Sequence, residues 1–443
     1  MPNTLSKSSQ NATVLRLAVP AALKHLLDII QLLIDMIMVG MIHVAALAAV
    51  GMSMQFMMVI NVLMTLYIVG GNAIIARRIG ERRSKRAYAL LYTLALFALV
   101  LSVPVTLFGY FNAQNLYYWM GATETLASYG GADFEILALG MPLIFLDALM
   151  YNALSAAGDT KSSLYIKIGS AGVNLLFNYL LIFGHGGFEA MGIAGAAYAT
   201  LLAYAFNLTL YAFLLFKKGA LLRFVPRLNL SDLKRSLHVG QHASLDRLMS
   251  VSSFILFVGI ITAYGTEAIA GYQVGLRIEG LAFMPGFGFA LAATALVGQS
   301  LGAKKIEMAY ENGKSAALLA MMLMGTLGIF MVLFPAFFIG FFTQDSTTIK
   351  AASIYLQLVG ISQVPLAATF VINGVLRGAG ATKTALKVNV TSLWVLRVIP
   401  SYILFYFEYD LVWIFVAMTL ETFVKGGVFW LIFKRRGWLE TKV

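Results

Sequence analysis

Apolar runs too long for the core of a water-soluble domain recur along the whole chain, and they constrain its fold more than any other feature. They cover roughly residues 14–41, 45–76, 87–112, 123–157, 162–184, 190–216, 236–263, 267–300, 308–342, 348–379, 384–407 and 409–433. A helix needs about 20 residues to cross a hydrocarbon layer, so these runs read as twelve transmembrane helices. Only helices and closed barrels satisfy their backbone in lipid, and the expected class is therefore an all-α polytopic membrane protein. Composition agrees. Of 443 residues, 60% are hydrophobic and 12% charged, with mean hydropathy +0.82; soluble proteins carry about twice that charged share. The polar start, Met1 to Ala12, and the length of the first run do not suggest a cleavable signal. Cysteine is absent, which excludes disulfides, thiolate metal sites and cysteine nucleophiles.

A net charge of +12 would suggest nucleic acid in a soluble protein, but its distribution says otherwise. The second-to-third connection holds Arg77, Arg78, Arg82, Arg83, Lys85 and Arg86, and the sixth-to-seventh holds Lys217, Lys218, Arg223, Arg227, Lys234 and Arg235. Lys161, Lys304, Lys305, Lys383 and Lys434-Arg435-Arg436 fall on the same side. The intervening connections carry Glu124, His185, Glu189, Glu267, Asp345, Glu408 and Asp410, with Lys350 as their clear cation. This is the positive-inside pattern for two cytoplasmic termini. The expected setting is the cytoplasmic (inner) membrane of a prokaryote, with the lipid bilayer and no nucleic acid as partner.

Polar residues interrupt the first apolar run in an ordered way. Lys24, Asp28, Gln31 and Asp35 are spaced i, i+4, i+7, i+11, within an arc of about 60° on one side of a helix. An ionised carboxylate in a bilayer is costly unless it faces a partner or a polar cavity, so the stripe marks the wall of an internal pathway. Lys24 and Asp28 are expected to pair; Asp35 has no cation at helical spacing in its own segment.

The two halves are related by a constant shift of 222 residues. Gly80-Glu81-Arg82 falls on Gly302-Ala303-Lys304, Ala157-Gly158-Asp159-Thr160-Lys161 on Ala379-Gly380-Ala381-Thr382-Lys383, and Thr200 on Thr422. Six segments per half start each half on the same side, so the two six-helix repeats are parallel. The expected division is an N-lobe at 1–216, a linker at 217–235 and a C-lobe at 236–443.

Pro20, Asp35 followed by Val39-Gly40, the Arg-rich turn, Gly158-Asp159-Thr160 and Arg377-Gly378-Ala379-Gly380 together resemble the multidrug and toxic compound extrusion (MATE) transporters. Ala270-Gly271-Tyr272-Gln273, Arg277-Ile278-Glu279 and Phe283-Met284-Pro285-Gly286-Phe287-Gly288 resemble the DinF-like branch. The resemblance covers nearly the whole chain. It implies a monomeric secondary antiporter that exports cationic or amphipathic organic compounds and needs no cofactor. The expected coupling ion is H+, with Na+ as the alternative. A lipid-linked precursor or polysaccharide flippase is the other transporter reading.

The resemblance also implies a coupling site at Asp35, Asn174, Asn178 and Thr200, the last three on the fifth and sixth segments. Some members carry Asp where this chain has Asn178, so the site here has one negative charge fewer. A single carboxylate among neutral hydrogen-bonding groups suits proton exchange. The bland reading of the amides and hydroxyl is hydrogen-bonded helix packing. By the shift, Asp35 falls on Phe257, Asn174 on Leu396 and Asn178 on Pro400, so the site is not duplicated. Residues 351–380 contain no Asp or Glu, which argues against a C-lobe Na+ site. Asp246, Arg277, Glu279 and Arg397 are instead expected to form a buried charge network, since lone charges there are costly. Glu421 and Lys425, at i, i+4, read as a pair. An intramembrane enzyme would need catalytic carboxylates or a His cluster. His238 and His242 lack a clear third ligand, and no enzyme is expected.

Overall fold

The computed structural model describes residues 7–217 and 219–441. Lys218 of the basic connection and the polar start from Met1 to Ser6 lie outside the described residues. Among the described residues the chain is helical throughout, without strands. The first half runs α1 (Lys7–Gly40), α2 (Val44–Gly80), α3 (Ser84–Trp119), α4 (Glu124–Leu139), α5 (Met141–Ala157), α6 (Thr160–Phe183) and α7 (Ile193–Phe216). The second half runs α8 (Leu230–Thr262), α9 (Thr266–Gly302), α10 (Ile306–Leu333), the short α11 (Pro335–Ile339), α12 (Ser346–Ile361), α13 (Gln363–Ala379), α14 (Thr382–Thr391), α15 (Ile399–Tyr406) and α16 (Leu411–Lys434). A π-helical turn, Ser392–Val398, joins α14 to α15 as one span.

Among the described residues, ten helices are long and apolar enough to cross a membrane, and counting each of two bent pairs as one span gives twelve. The fourth expected segment is α4 and α5, bent by 59°, and the tenth is α12 and α13, bent by 58°. Their breaks fall at Gly140 and Ser362, which the 222-residue shift superposes. Pro142 stands in the first turn of α5 and Pro365 in that of α13. A proline there lacks only an N–H that has no helical partner anyway.

The same register recurs elsewhere. α2 and α9 start at Val44 and Thr266 and end at Gly80 and Gly302. Gly158 and Gly380 cap α5 and α13 with φ of 94° and 82°, the left-handed conformation that a glycine adopts without strain.

The chain forms two compact units that do not follow chain order. The N-terminal unit holds residues 23–75 and 83–237; the C-terminal unit holds the chain up to Ala22, residues 76–82, and His238–Val443. α1 therefore contributes its start to the C-terminal unit, and α8 its start to the N-terminal one. In the C-terminal unit, a Cβ on Gly288 would stand 2.5 Å from the Ala18 carbonyl oxygen. In the N-terminal unit, a Cβ on Gly70 would stand 1.8 Å from that of Ser236. Both crossings are backbone against backbone. The C-terminal core combines Val14, Leu17 and Ala18 with Phe289, Val297, Met324, Val371 and Phe433.

Candidate functional site

The polar stripe of α1 lies in the N-terminal unit, which also contains α5, α6 and α7. Lys24 Nζ stands 2.8 Å from Asp28 Oδ2 and 4.1 Å from the centre of the Tyr151 ring. The pair expected from spacing is thus present, and Asp28 has a second cation that spacing within α1 does not reveal. Lys167 of α6 donates to Asp28 Oδ1 at 3.0 Å and to Gln31 Oε1 at 2.5 Å. His25 Nδ1 is 3.6 Å from Asp28, and its other ring nitrogen is 3.3 Å from the Tyr151 hydroxyl.

Asp35, two turns further along, meets amides instead of cations. Asn178 Nδ2 donates to Asp35 Oδ1 at 2.5 Å and to Asn174 Oδ1 at 3.2 Å. Asn174 and Asn178 are 1% and 0% exposed, yet Asn174 Nδ2 and Asn178 Oδ1 have no hydrogen-bond partner. Buried amide atoms in that condition are uncommon and call for a reason. Asp35 forms no ion pair among the described residues. Thr200 is half-buried on α7, and no hydrogen bond joins it to the other three. The structure thus brings Asp35, Asn174 and Asn178 together and leaves Thr200 outside their hydrogen bonds.

The four C-terminal charges do not meet as one directly bonded group. Arg397 and Lys425 both engage Glu421, at 2.6 and 2.9 Å, and Ser392 donates to the same carboxylate at 2.6 Å. Asp246 accepts from Asn389 at 3.0 Å and lies 3.6 Å from Arg377. Glu279 accepts from the Tyr355 hydroxyl at 2.5 Å, with Arg397 within electrostatic reach. Arg277 is exposed. The reason is reach: Arg397 lies in the π-helical turn beside α16, where Glu421 satisfies it. Arg397 also lies 5.7 Å from the ring of Phe257, the residue that the shift places on Asp35.

Two groups escaped the sequence reading. Ser53 of α2 donates to Asp133 Oδ2 at 2.8 Å, and the Tyr117 hydroxyl lies 2.6 Å from the same serine oxygen. An Asp within the fourth apolar segment was the available signal. Asp147 of α5 has a buried Oδ1 without a partner; its neighbours come from three other helices, which no spacing reveals. Among the described residues, no cluster of His, Asp and Glu side chains is arranged to hold a metal ion.

Comparison with known proteins decides the family. The MatE family model matches residues 20–180 and again 243–403. The chain belongs to the MatE family. The two matched stretches start 223 residues apart, one residue from the shift read off the sequence. A probable multidrug resistance protein NorM of Thermotoga maritima is 26% identical over 97% of this chain and 93% of its own. A probable multidrug resistance protein YoeA of Bacillus subtilis is 25% identical over 87% and 85%. Among solved structures, a MOP superfamily transporter from Pyrococcus furiosus superposes with TM-score 0.90 at 22% identity, covering 98% of this chain and 97% of that one. The Vibrio cholerae MATE transporter VcmN in its bent form gives 0.90 at 21%, covering 98% of each. These MatE relatives share the twelve-helix fold, and the chain is a multi-pass membrane transporter, not an enzyme.

Proposed function

We propose that this MatE transporter exports cationic or amphipathic organic compounds in exchange for protons, with Asp35 as the exchanging group. It acts as a monomer in the cytoplasmic membrane, with both termini inside and without a cofactor. The multidrug resistance relatives support the substrate class. The observation that carries the ion is the contrast within α1: Asp28 is held by two lysines, whereas Asp35 meets the Asn178 amide and forms no ion pair among the described residues. A carboxylate in an ion pair stays ionised; one among neutral amides in apolar surroundings is free to bind and release a proton. Asn174 positions Asn178. Dehydrated Na+ favours several hard oxygens, and here one carboxylate and two amide carbonyls are offered.

Dye efflux from inverted vesicles under separate pH and Na+ gradients tests this. A pH gradient alone is expected to drive efflux in the wild type, and Asp35→Asn to reduce it to background. Full activity in Asp35→Asn sinks the assignment. Efflux driven by Na+ alone replaces the ion.

A further inference from the structure

Asp147 has no part in the exchange just described, although it lies in the same interior. It lies one turn before Tyr151, whose ring carries Lys24 Nζ at 4.1 Å, and Asp28 of α1, Lys167 of α6 and Tyr204, Asn207 and Tyr211 of α7 are within its electrostatic reach. Asn207 Oδ1, on α7, is likewise buried without a hydrogen-bond partner. Its Oδ1 is buried and unpartnered, while both lysines engage Asp28, at 2.8 and 3.0 Å. Asp35 completes the group, with Lys167 and Tyr204 within its electrostatic reach. His25 also faces it, 3.3 Å from the Tyr151 hydroxyl and 3.6 Å from Asp28.

The interior therefore sets two lysines against three carboxylates. Uncompensated charge in such surroundings is costly, and one proton on the carboxylates balances these two lysines and three aspartates. Asp28 is ionised by its two cations, so the proton belongs to the other two. We propose that Asp35 and Asp147 share one exchangeable proton, and that Asp147 supplies the charge balance that keeps Asp35 loaded until substrate arrives. A monovalent organic cation entering this interior restores neutrality only when that proton leaves. Substrate and proton are then alternative occupants without contending for the same atoms. Asp147 is in this sense a positioning residue, acting through the lysines on Asp35. The inference rests on the proton-exchange reading.

It has a consequence that simple packing does not share. In Asp147→Asn, Lys24 and Lys167 are balanced by Asp28 and Asp35 both ionised, so Asp35 holds its proton less firmly. Adding Lys24→Met removes one positive charge and restores the count. Dicyclohexylcarbodiimide reacts with protonated carboxyls in apolar surroundings, so its labelling of Asp35 in liposomes, followed by peptide mass spectrometry across pH, reads this directly. Half-labelling in Asp147→Asn is expected about one pH unit or more towards acid, and Lys24→Met in that background returns it towards wild type. Lys24→Met alone moves it towards alkali, which keeps the test alive if Asp147→Asn folds poorly. A labelling profile unchanged by Asp147→Asn, or unmoved by Lys24→Met, overturns the proposal. A structural role for Asp147 would lower thermal stability and leave the profile in place. Na+-driven efflux insensitive to Asp35→Asn would instead refute the exchange reading, and the labelling would still report whether the proton is shared.

Discussion

Glu421 has a side chain with 0% exposure and two cations on it, Arg397 and Lys425. Such an arrangement is poor evidence of net stabilisation, because the desolvation of three charges offsets their attraction. Its removal is another matter. Glu421→Gln leaves two buried cations facing an amide, and a loss of about 3–5 kcal/mol is expected, read as earlier thermal unfolding in detergent. Lys425→Met in the Glu421→Gln background is expected to recover part of it. An unchanged unfolding temperature in Glu421→Gln would mean that water reaches these cations. The sequence disclosed the i, i+4 pair of this group, since spacing within one helix is fixed by geometry. Arg397 escaped for the opposite reason. It lies 24 residues away along the chain, and a π-helical turn rotates the residues that follow out of the 3.6-residue register from which faces are read. Lys167 on Asp28, and Asp147 beside both lysines, were hidden in the same way, because contacts across helices leave no periodic trace. Asp35 was legible because α1 carries a one-sided stripe, and Asn174 and Asn178 were legible through the family resemblance.

At the level of elements, the repeat has a physical meaning at the ends of α2 and α9. A Cβ on Gly80 would stand 2.0 Å from the Gln299 carbonyl oxygen, and one on Gly302 2.1 Å from that of Arg77. The four residues form two pairs under the 222-residue shift, so one crossing is made twice by corresponding atoms. All lie in the C-terminal unit. Backbone cannot yield as a flexible side chain does, and Gly302→Ala or Gly80→Ala is expected to cost about 3 kcal/mol or more. Gly51, inside α2 with nothing within 4 Å of an added Cβ, is the control: Gly51→Ala is expected to gain about 0.5–1 kcal/mol. Detergent thermal-stability curves of the three variants check the contrast, and equal effects would refute the close crossing. The twelve spans were legible from hydropathy because the bilayer fixes their length. The 59° and 58° bends within two of them were not. Hydropathy is blind to direction, and Pro142 and Pro365 were as consistent with a gentle kink as with a break.

For the whole molecule, the basic connections make a claim about sidedness that contacts within the protein cannot test. If Lys and Arg near short loops set orientation, the connection between α7 and α8 faces the cytoplasm and that between α6 and α7 faces outward. The absence of cysteine from the chain makes this directly measurable, because any introduced thiol is the sole target. Phe188, 47% exposed between α6 and α7, and Leu221, 53% exposed between α7 and α8, are suitable positions. In intact cells a membrane-impermeant maleimide is expected to label Phe188→Cys at once and Leu221→Cys only after permeabilisation. The reverse pattern would place both termini outside and invert the direction in which the Asp35 proton gradient acts. Equal labelling of both positions in intact cells would contradict an odd number of crossings between them, and with it the twelve-span count. The outcome matters for mechanism as well as topology. Asp35 lies near the end of α1, and the orientation fixes that end as the outward one. On the proposed exchange, protonation from outside would load Asp35 by a short path, and release to the cytoplasm would follow the length of α1 past Asp28 and Lys24. Reversed orientation would invert that asymmetry, so this labelling tests whether inward proton flow can drive export through the polar face of α1.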